Sequence, residues 1–231
     1  LLTKYCLQLH PTYISQLKNV WLLKEVPLDI KKYLNLPDSD QGIDLIVETL
    51  DKNYWAIQCK YREDENTSLT RKDLSTFFDL AFNICKDVDF GLICTSVNRF
   101  SHTLEMYGNK IGYCAGDKWR ELDDVFFKQL HIFLDKKTLS IEPLEPHPHQ
   151  KSAIHNAIQH FEDNKKTKGK LIMPCGSGKS LVGFWIAQEL QAQKILISVP
   201  SLALIRQTLE VWARESLAIN KSFKWIVVCS D

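Results

Sequence analysis

No apolar run in the 231-residue chain approaches the roughly 20 residues that a membrane helix needs. Nor does a basic start precede a long apolar stretch at Leu1-Leu2-Thr3-Lys4, so neither a membrane span nor a signal peptide is expected. An initiator Met is lacking too, which points to a start inside a longer protein. Cysteine occurs at 6, 59, 85, 94, 114, 175 and 229, but never as a C-x-x-C pair. That odd, scattered set argues against a disulfide framework or a zinc site and for a reducing cytoplasmic setting. Charge of one sign is not in excess either: 29 basic residues face 28 acidic ones, a formal +1. No global field therefore draws the chain to nucleic acid. Any such contact must come from local clusters; 18 basic and 21 acidic residues precede Pro143, and 11 and 7 follow from it. Internal repeats and low-complexity segments are absent, and ordinary hydrophobic (45%) and charged (25%) fractions exclude a disordered tail, a coiled coil or a fibre.

What is present divides in two. Three prolines crowd into Glu142-Pro-Leu-Glu-Pro-His-Pro-His149. Proline fixes φ and pushes its predecessor out of the helical region, so residues 142–148 read as an extended linker between domains 1–141 and 149–231. Before it, apolar strands are expected at 43–48, 54–61 and 90–95. A helix should start at Thr70-Arg-Lys-Asp73, whose spacing is that of a capping box, and another should span 125–133. After the linker the pattern alternates: helix 150–162, strand 170–173, helix 179–191, strand 194–199, helix 202–215, strand 224–229. Such alternation predicts an α/β lobe with a parallel sheet.

Met173-Pro-Cys-Gly-Ser-Gly-Lys-Ser180 lies between an apolar strand and a helix, the context a phosphate-binding loop requires. Gly176 and Gly178 let the backbone curl so that successive N–H groups, Ser177 among them, converge on phosphate oxygens. Lys179 would reach the β- and γ-phosphates of ATP, and the Ser180 hydroxyl would hold Mg²⁺. Met173 stands where the full pattern has its first glycine.

The first domain offers a second constellation. Strand periodicity sets Ile43, Leu45 and Val47 on one face and Asp44 and Glu48 on the other; Gln58 and Lys60 likewise share a face of the next strand. A carboxylate, an amide oxygen and an ammonium side by side suit phosphodiester hydrolysis. Asp44 and Gln58 would be the metal ligands, and Lys60 would position water or offset charge. The plain alternative is three ordinary polar positions on a half-buried hairpin.

The loop M-P-C-G-S-G-K-S resembles the first motif of superfamily 2 helicases and translocases, which commonly lack that first glycine. Ile197-Ser-Val-Pro-Ser-Leu-Ala-Leu-Ile-Arg-Gln-Thr208 resembles their motif Ia, whose groups touch DNA phosphates. Pro146-His-Pro-His-Gln150 is similar to the upstream element whose glutamine reads adenine, with His147 where arginine is expected. The trio Asp44, Gln58 and Lys60 resembles the core of PD-(D/E)xK nucleases in the glutamine variant of Mrr-like restriction enzymes. That resemblance makes the literal Pro37-Asp38 a decoy and implies a further acidic metal ligand upstream, for which Glu25 is the candidate. Taken in order, these motifs are similar to the amino-terminal half of single-chain type ISP restriction enzymes.

The resemblance implies a PD-(D/E)xK nuclease core followed by a truncated RecA-like motor lobe. It further implies Mg²⁺ and ATP as cofactors and double-stranded DNA as partner, with the rest of the motor, a methyltransferase and a target-recognition region in a longer chain. No D-E-x-H-like stretch follows Ser201, so nucleotide binding without turnover is expected. Two alternatives stand beside a Mg²⁺-dependent endonuclease: a degenerate nuclease fold that only grips DNA, and a phosphate-loop NTPase unrelated to DNA. The helix from Thr70 would pack Phe77, Phe78 and Ala81 on the sheet, while Arg71 and Lys72 either meet phosphates or stay solvated.

Overall fold

The computed structural model describes residues 1–39, 41–135, 141–221 and 223–229. The chain forms two compact units, Leu1–Leu139 and Ser140–Asp231. The expected boundary near Ile141 adjoins residues 136–140, which lie outside the described residues.

The first unit opens with α1 (Leu2–Leu9), α2 (Pro11–Ile14), β1 (Leu17–Leu22) and α3 (Leu28–Leu34). The hairpin follows as β2 (Leu45–Thr49) and β3 (Tyr54–Lys60), then the two-residue β4 (Ser68–Leu69) and α4 (Ser75–Asp79), which runs on into a π-helical turn, Leu80–Ile84. β5 (Val88–Thr95), the two-residue β6 (Arg99–Phe100), β7 (Ile111–Cys114), α5 (Gly116–Arg120) and α6 (Asp124–Leu134) complete the unit. The main sheet is mixed, in the order β1-β2-β3-β5-β7. β1, β2 and β3 pair antiparallel, whereas β3–β5 and β5–β7 are parallel.

β1 escapes a search for alternation because its register shifts between Leu17 and Asn19, so Leu17 and Val20, three apart, both turn inward. β2 is buried on both faces, which is why Leu45-Ile46-Val47 reads as an unbroken apolar run. Leu45, Val47, Ile57 and Leu92 pack with Leu7 on one side. Ile46, Ala56 and Ile93 pack with Leu74, Phe77 and Phe78 on the other. Here one expectation is corrected. The face that carries Asp44 and Glu48 is no polar face, because Ile46 between them is fully buried in the larger apolar layer. Ile43 joins that layer too, and Glu48 is tied by Lys18 and Asn19 of β1 at 2.8 Å each. Phe77, Phe78 and Ala81 pack on the sheet, while Arg71 and Lys72 are exposed.

In the second unit, α7 (Pro148–Ile158) continues into a π-helical turn, Gln159–Asp163, and is followed by α8 (Lys179–Glu189) and α9 (Leu202–Ala218). Val182 and Phe184 of α8 are buried, and Phe184 meets Trp212 of α9 edge-on at 5.5 Å. The strands expected at 170–173, 194–199 and 224–229 do not form; no strand occurs among the described residues of this unit. The parallel sheet foreseen for it is therefore not formed among the described residues. Ile172, Leu196 and Val228 are 80%, 95% and 86% exposed. A strand is completed by hydrogen bonds to a neighbour, and a short apolar run says nothing about whether that neighbour is in place. The proline segment is not a loose tether. Glu215 of α9, 1% exposed and paired with Arg214, accepts the Leu144 N–H at 3.0 Å, and Arg214 donates to the Glu142 carbonyl at 3.2 Å.

The Thr70–Asp73 cap forms in part. The Asp73 carboxylate accepts from both the Thr70 N–H (2.9 Å) and the Thr70 hydroxyl (2.7 Å), and it pairs with Arg62. These contacts, the Thr70 hydroxyl first, hold the Asp73 carboxyl below the usual aspartate range. A depressed folded value adds stability that is present above the unfolded value near about 3.9 and lost as pH falls through the lower folded one. Asp73→Asn is thus expected to cost about 0.5–2 kcal/mol at pH 7 and less at pH 3, measured by urea unfolding at both. An equal cost at both pH values would remove the carboxylate from this account.

Candidate functional site

Asp44 is positioned by Gly42, Leu23, Ile57 and Cys59. Gly42 (φ +124°) turns the chain in toward β2, and it lies so close to α4 that an added Cβ would sit 3.1 Å from the Phe77 nitrogen and the Thr76 hydroxyl. Asp44 itself joins the sheet ladder, donating its N–H to the Ile57 carbonyl at 2.8 Å and accepting from the Leu23 N–H at 2.9 Å. Its carboxylate accepts the Cys59 N–H at 2.7 Å. The register Leu45↔Ile57 brings the start of β2 alongside the stretch of β3 that carries Gln58 and, two residues on, Lys60.

Gln58 is 3% exposed, and its Oε1 is buried without a hydrogen-bond partner. Buried amide oxygens are nearly always satisfied, and an orphan costs about 1–3 kcal/mol. Lys60 is half-buried and forms no ion pair among the described residues. Next to it, the Ser96 hydroxyl closes the end of β3, accepting from the Arg62 N–H at 2.8 Å and donating to its carbonyl at 2.9 Å. Glu25 sits elsewhere in its bonding. Its carboxylate pairs with Lys4 at 2.5 Å and caps the Leu22 N–H at 3.0 Å, and Lys4, the larger influence, holds it below the ordinary glutamate range. Asp38 lies in a loop between α3 and β2. Among the described residues no three His, Cys, Asp or Glu side chains form a group able to hold a metal ion. The arrangement is one anchored carboxylate, one orphan amide oxygen and one ammonium without an ion-pair partner among the described residues.

The second unit holds a cleft of about 430 Å³ lined by Leu144, Glu145, His147, His149, Gln150, the loop Gly176–Gly178, Leu181 and Trp185. Gly176 (φ +74°) and Gly178 (φ +78°) both need the left-handed region, and Gly178 caps α8. The Lys179 ammonium rests on the carbonyls of Met173 (3.2 Å) and Pro174 (2.7 Å), and the Ser177 hydroxyl donates to Pro174 at 2.8 Å. Trp212 ties the loop to α9 through the Ser180 carbonyl at 3.0 Å. Gln150 is 4% exposed and spent at both ends: its oxygen accepts the His147 N–H at 2.8 Å, and its amide donates to the Ser177 carbonyl at 2.9 Å. His147 and His149 stack at 5.9 Å on the cleft wall. Sequence reasoning missed Trp185, Trp212 and Glu145; nothing in local pattern distinguishes a wall residue of a cleft from a core or surface one.

Residues 8–110 match the restriction endonuclease family, and residues 143–225 match the type III restriction enzyme, res subunit, family. The first unit is thus similar to restriction endonucleases and the second to the res subunit of type III restriction enzymes, each match covering less than half of the chain. Its fold is similar to that of a solved structure described as "ATP-dependent Type ISP restriction-modification enzyme LlaBIII bound to DNA" (TM-score 0.65, 22% identity over 93% of this chain). The chain spans only 14% of the length of that protein. No curated protein sequence matches it. Among the described residues no helix is long and apolar enough to cross a membrane.

Replacing the orphan amide by a similarly sized apolar group removes its desolvation cost. Gln58→Met is expected to raise stability by about 1 kcal/mol in the presence of a chelator, read from urea unfolding. A loss of stability would mean that the oxygen is satisfied after all.

Proposed function

We propose that the first unit is a Mg²⁺-dependent endonuclease acting on double-stranded DNA, joined to part of an ATP-driven DNA translocase of restriction type. The single observation that carries the nuclease reading is the buried, partnerless Gln58 Oε1 on the strand whose next residue, Cys59, anchors the Asp44 carboxylate. A hard cation takes oxygen ligands, so the two groups fit Mg²⁺, which would supply charge stabilisation at the scissile phosphate. Asp44 and Gln58 hold the ion. Glu25 serves as a third ligand only by leaving Lys4. The Cys59 N–H keeps the Asp44 carboxylate from swinging out toward solvent. Lys60, which has no carboxylate partner among the described residues, holds the attacking water by a hydrogen bond and offsets the charge that builds on the phosphate oxygens as the P–O bond to the leaving strand breaks.

In the second unit, Gly176, Ser177, Gly178, Lys179 and Ser180 form the phosphate site of a RecA-like lobe. The Lys179 ammonium is already aimed at loop oxygens, and ATP phosphates take the place of the Met173 and Pro174 carbonyls. Gln150 reads adenine after releasing the Ser177 carbonyl, and Trp185 supplies an apolar wall for the base. The longer protein, with the remaining motor, methyltransferase and target-recognition regions, supplies turnover and site choice, in keeping with the likeness to LlaBIII.

A second reading has its own support. A single anchored carboxylate, with Glu25 committed to Lys4, suits a nuclease fold that grips DNA without cutting. Lys60→Ala separates the two. The endonuclease reading expects the parent chain to nick plasmid DNA with Mg²⁺ or Mn²⁺ and the variant to lose at least about 100-fold in rate while keeping DNA affinity. Binding without cleavage in the parent, under either metal, supports the gripping module instead.

For the loop, Lys179→Ala is expected to weaken ATP binding by about tenfold or more with an unchanged melting temperature, measured by calorimetry and thermal unfolding. Equal affinity in the two chains would dismiss the phosphate site.

A further inference from the structure

Three cysteines lie side by side across the main sheet. Cys59 of β3 is the register partner of Cys94 of β5, and Cys94 is that of Cys114 of β7. In-register residues of parallel strands point to the same face, and here that face packs against Leu7 of α1. All three are free thiols. Cys94 and Cys114 are 3% and 6% exposed, whereas Cys59 is half-buried, its thiol donating to the Thr3 hydroxyl at 3.3 Å. The Cys94 thiol interacts with both of its neighbours.

A free buried cysteine usually acts as a small apolar residue. Three in a row differ in one respect. Adjacent strands run about 4.8 Å apart, inside the about 4.4–6.8 Å Cα separation that a disulfide spans, so side-chain rotation with a small approach of the two Cβ atoms, to about 3.5–4.5 Å, joins neighbouring sulfurs. Of the three, Cys59 is the most exposed. Its N–H is also the donor that anchors Asp44, and its chain neighbours are Gln58 and Lys60.

We propose that Cys59 and Cys94 form an oxidation site that takes a small hydroperoxide and closes to a disulfide. The Cys59 sulfur attacks one peroxide oxygen and the O–O bond breaks. One molecule of water (or alcohol, from an organic peroxide) leaves, and Cys59 becomes a sulfenic acid. The Cys94 sulfur then attacks the Cys59 sulfur, the S–O bond breaks, and a second water departs with the Cys94 proton. Two thiols are oxidised by two electrons, and one peroxide is reduced. Closure draws the Cys59 backbone toward β5 to bring the two Cβ atoms within disulfide reach, and so loosens its N–H from Asp44. This last consequence, a nuclease silenced by peroxide, rests on the reading of Asp44 proposed above.

The whole chain is treated with hydrogen peroxide under native conditions, alkylated without reduction and digested with trypsin. Cys59, Cys94 and Cys114 then fall on separate peptides, 53–60, 87–99 and 111–118. The expected product joins peptide 53–60 to 87–99, two hydrogens lighter than the pair and released by dithiothreitol. It persists in Cys114→Ala and vanishes in Cys94→Ala. Because the parent chain alone gives the joined peptide, misfolding of a variant does not hide the result. Recovery of Cys59 as the alkylated thiol, as a sulfinic acid, or joined to Cys175 or Cys229 overturns the site. In the same samples DNA cleavage should fall by about tenfold or more on closure and return on reduction. Joined peptides with unaltered cleavage overturn the coupling to Asp44; joined peptides from a chain that never cuts leave the thiol site standing and remove the nuclease reading.

Discussion

A 2.7 Å hydrogen bond from the Cys59 N–H to the Asp44 carboxylate fixes the polar side chain at the entry to β2 against its neighbour strand. Asp44 is already held through its backbone by Ile57 and Leu23, so its side chain is the last freedom left at the mouth of β2. With that freedom removed, the carboxylate stays against β3, the strand that carries Gln58 and Lys60. A binding site needs such support, because a ligand group that must first be ordered loses affinity to its own entropy. The apolar layers on both faces of β2 and β3 make the arrangement rigid, and they also explain why Gln58 is buried deeply enough for an unmet oxygen to matter.

The second unit follows the same logic with different parts. Gln150 links the start of α7 to the glycine-rich loop through both ends of one amide, and Trp212 links the residue that follows Lys179 to α9. The loop is thereby shaped by the chain's own groups, with Lys179 satisfied by its carbonyls. Through Arg214 and Glu215, α9 also grips the proline segment. One helix therefore touches both the loop's support and the chain that enters the unit.

Much of this was legible in residue order. Gly-Ser-Gly-Lys-Ser between an apolar run and a helix needs only local geometry, and α8 starts at Lys179 as that pattern requires. The hairpin of β2 and β3 was legible for a similar reason, since its strands are close in sequence. β1 was not, because a bulge breaks its period, and the three extended segments after the linker were read as strands although they have no ladder. The polar face imagined for Asp44 and Glu48 failed because a two-fold period cannot say whether the second face of a strand meets water or a helix.

Residue order by itself determined which chemical groups this protein owns and where along the chain they fall: a carboxylate, an amide and an amine on neighbouring strands, and a glycine-rich turn ahead of a helix. Tertiary structure alone decided which of them are engaged. It committed Glu25 to Lys4, left Gln58 Oε1 without a partner, bound Gln150 at both ends and set three cysteines in a row. The physical reason is range. Turn and helix preferences act over a few residues, whereas burial and hydrogen-bond satisfaction depend on groups brought together from distant parts of the chain.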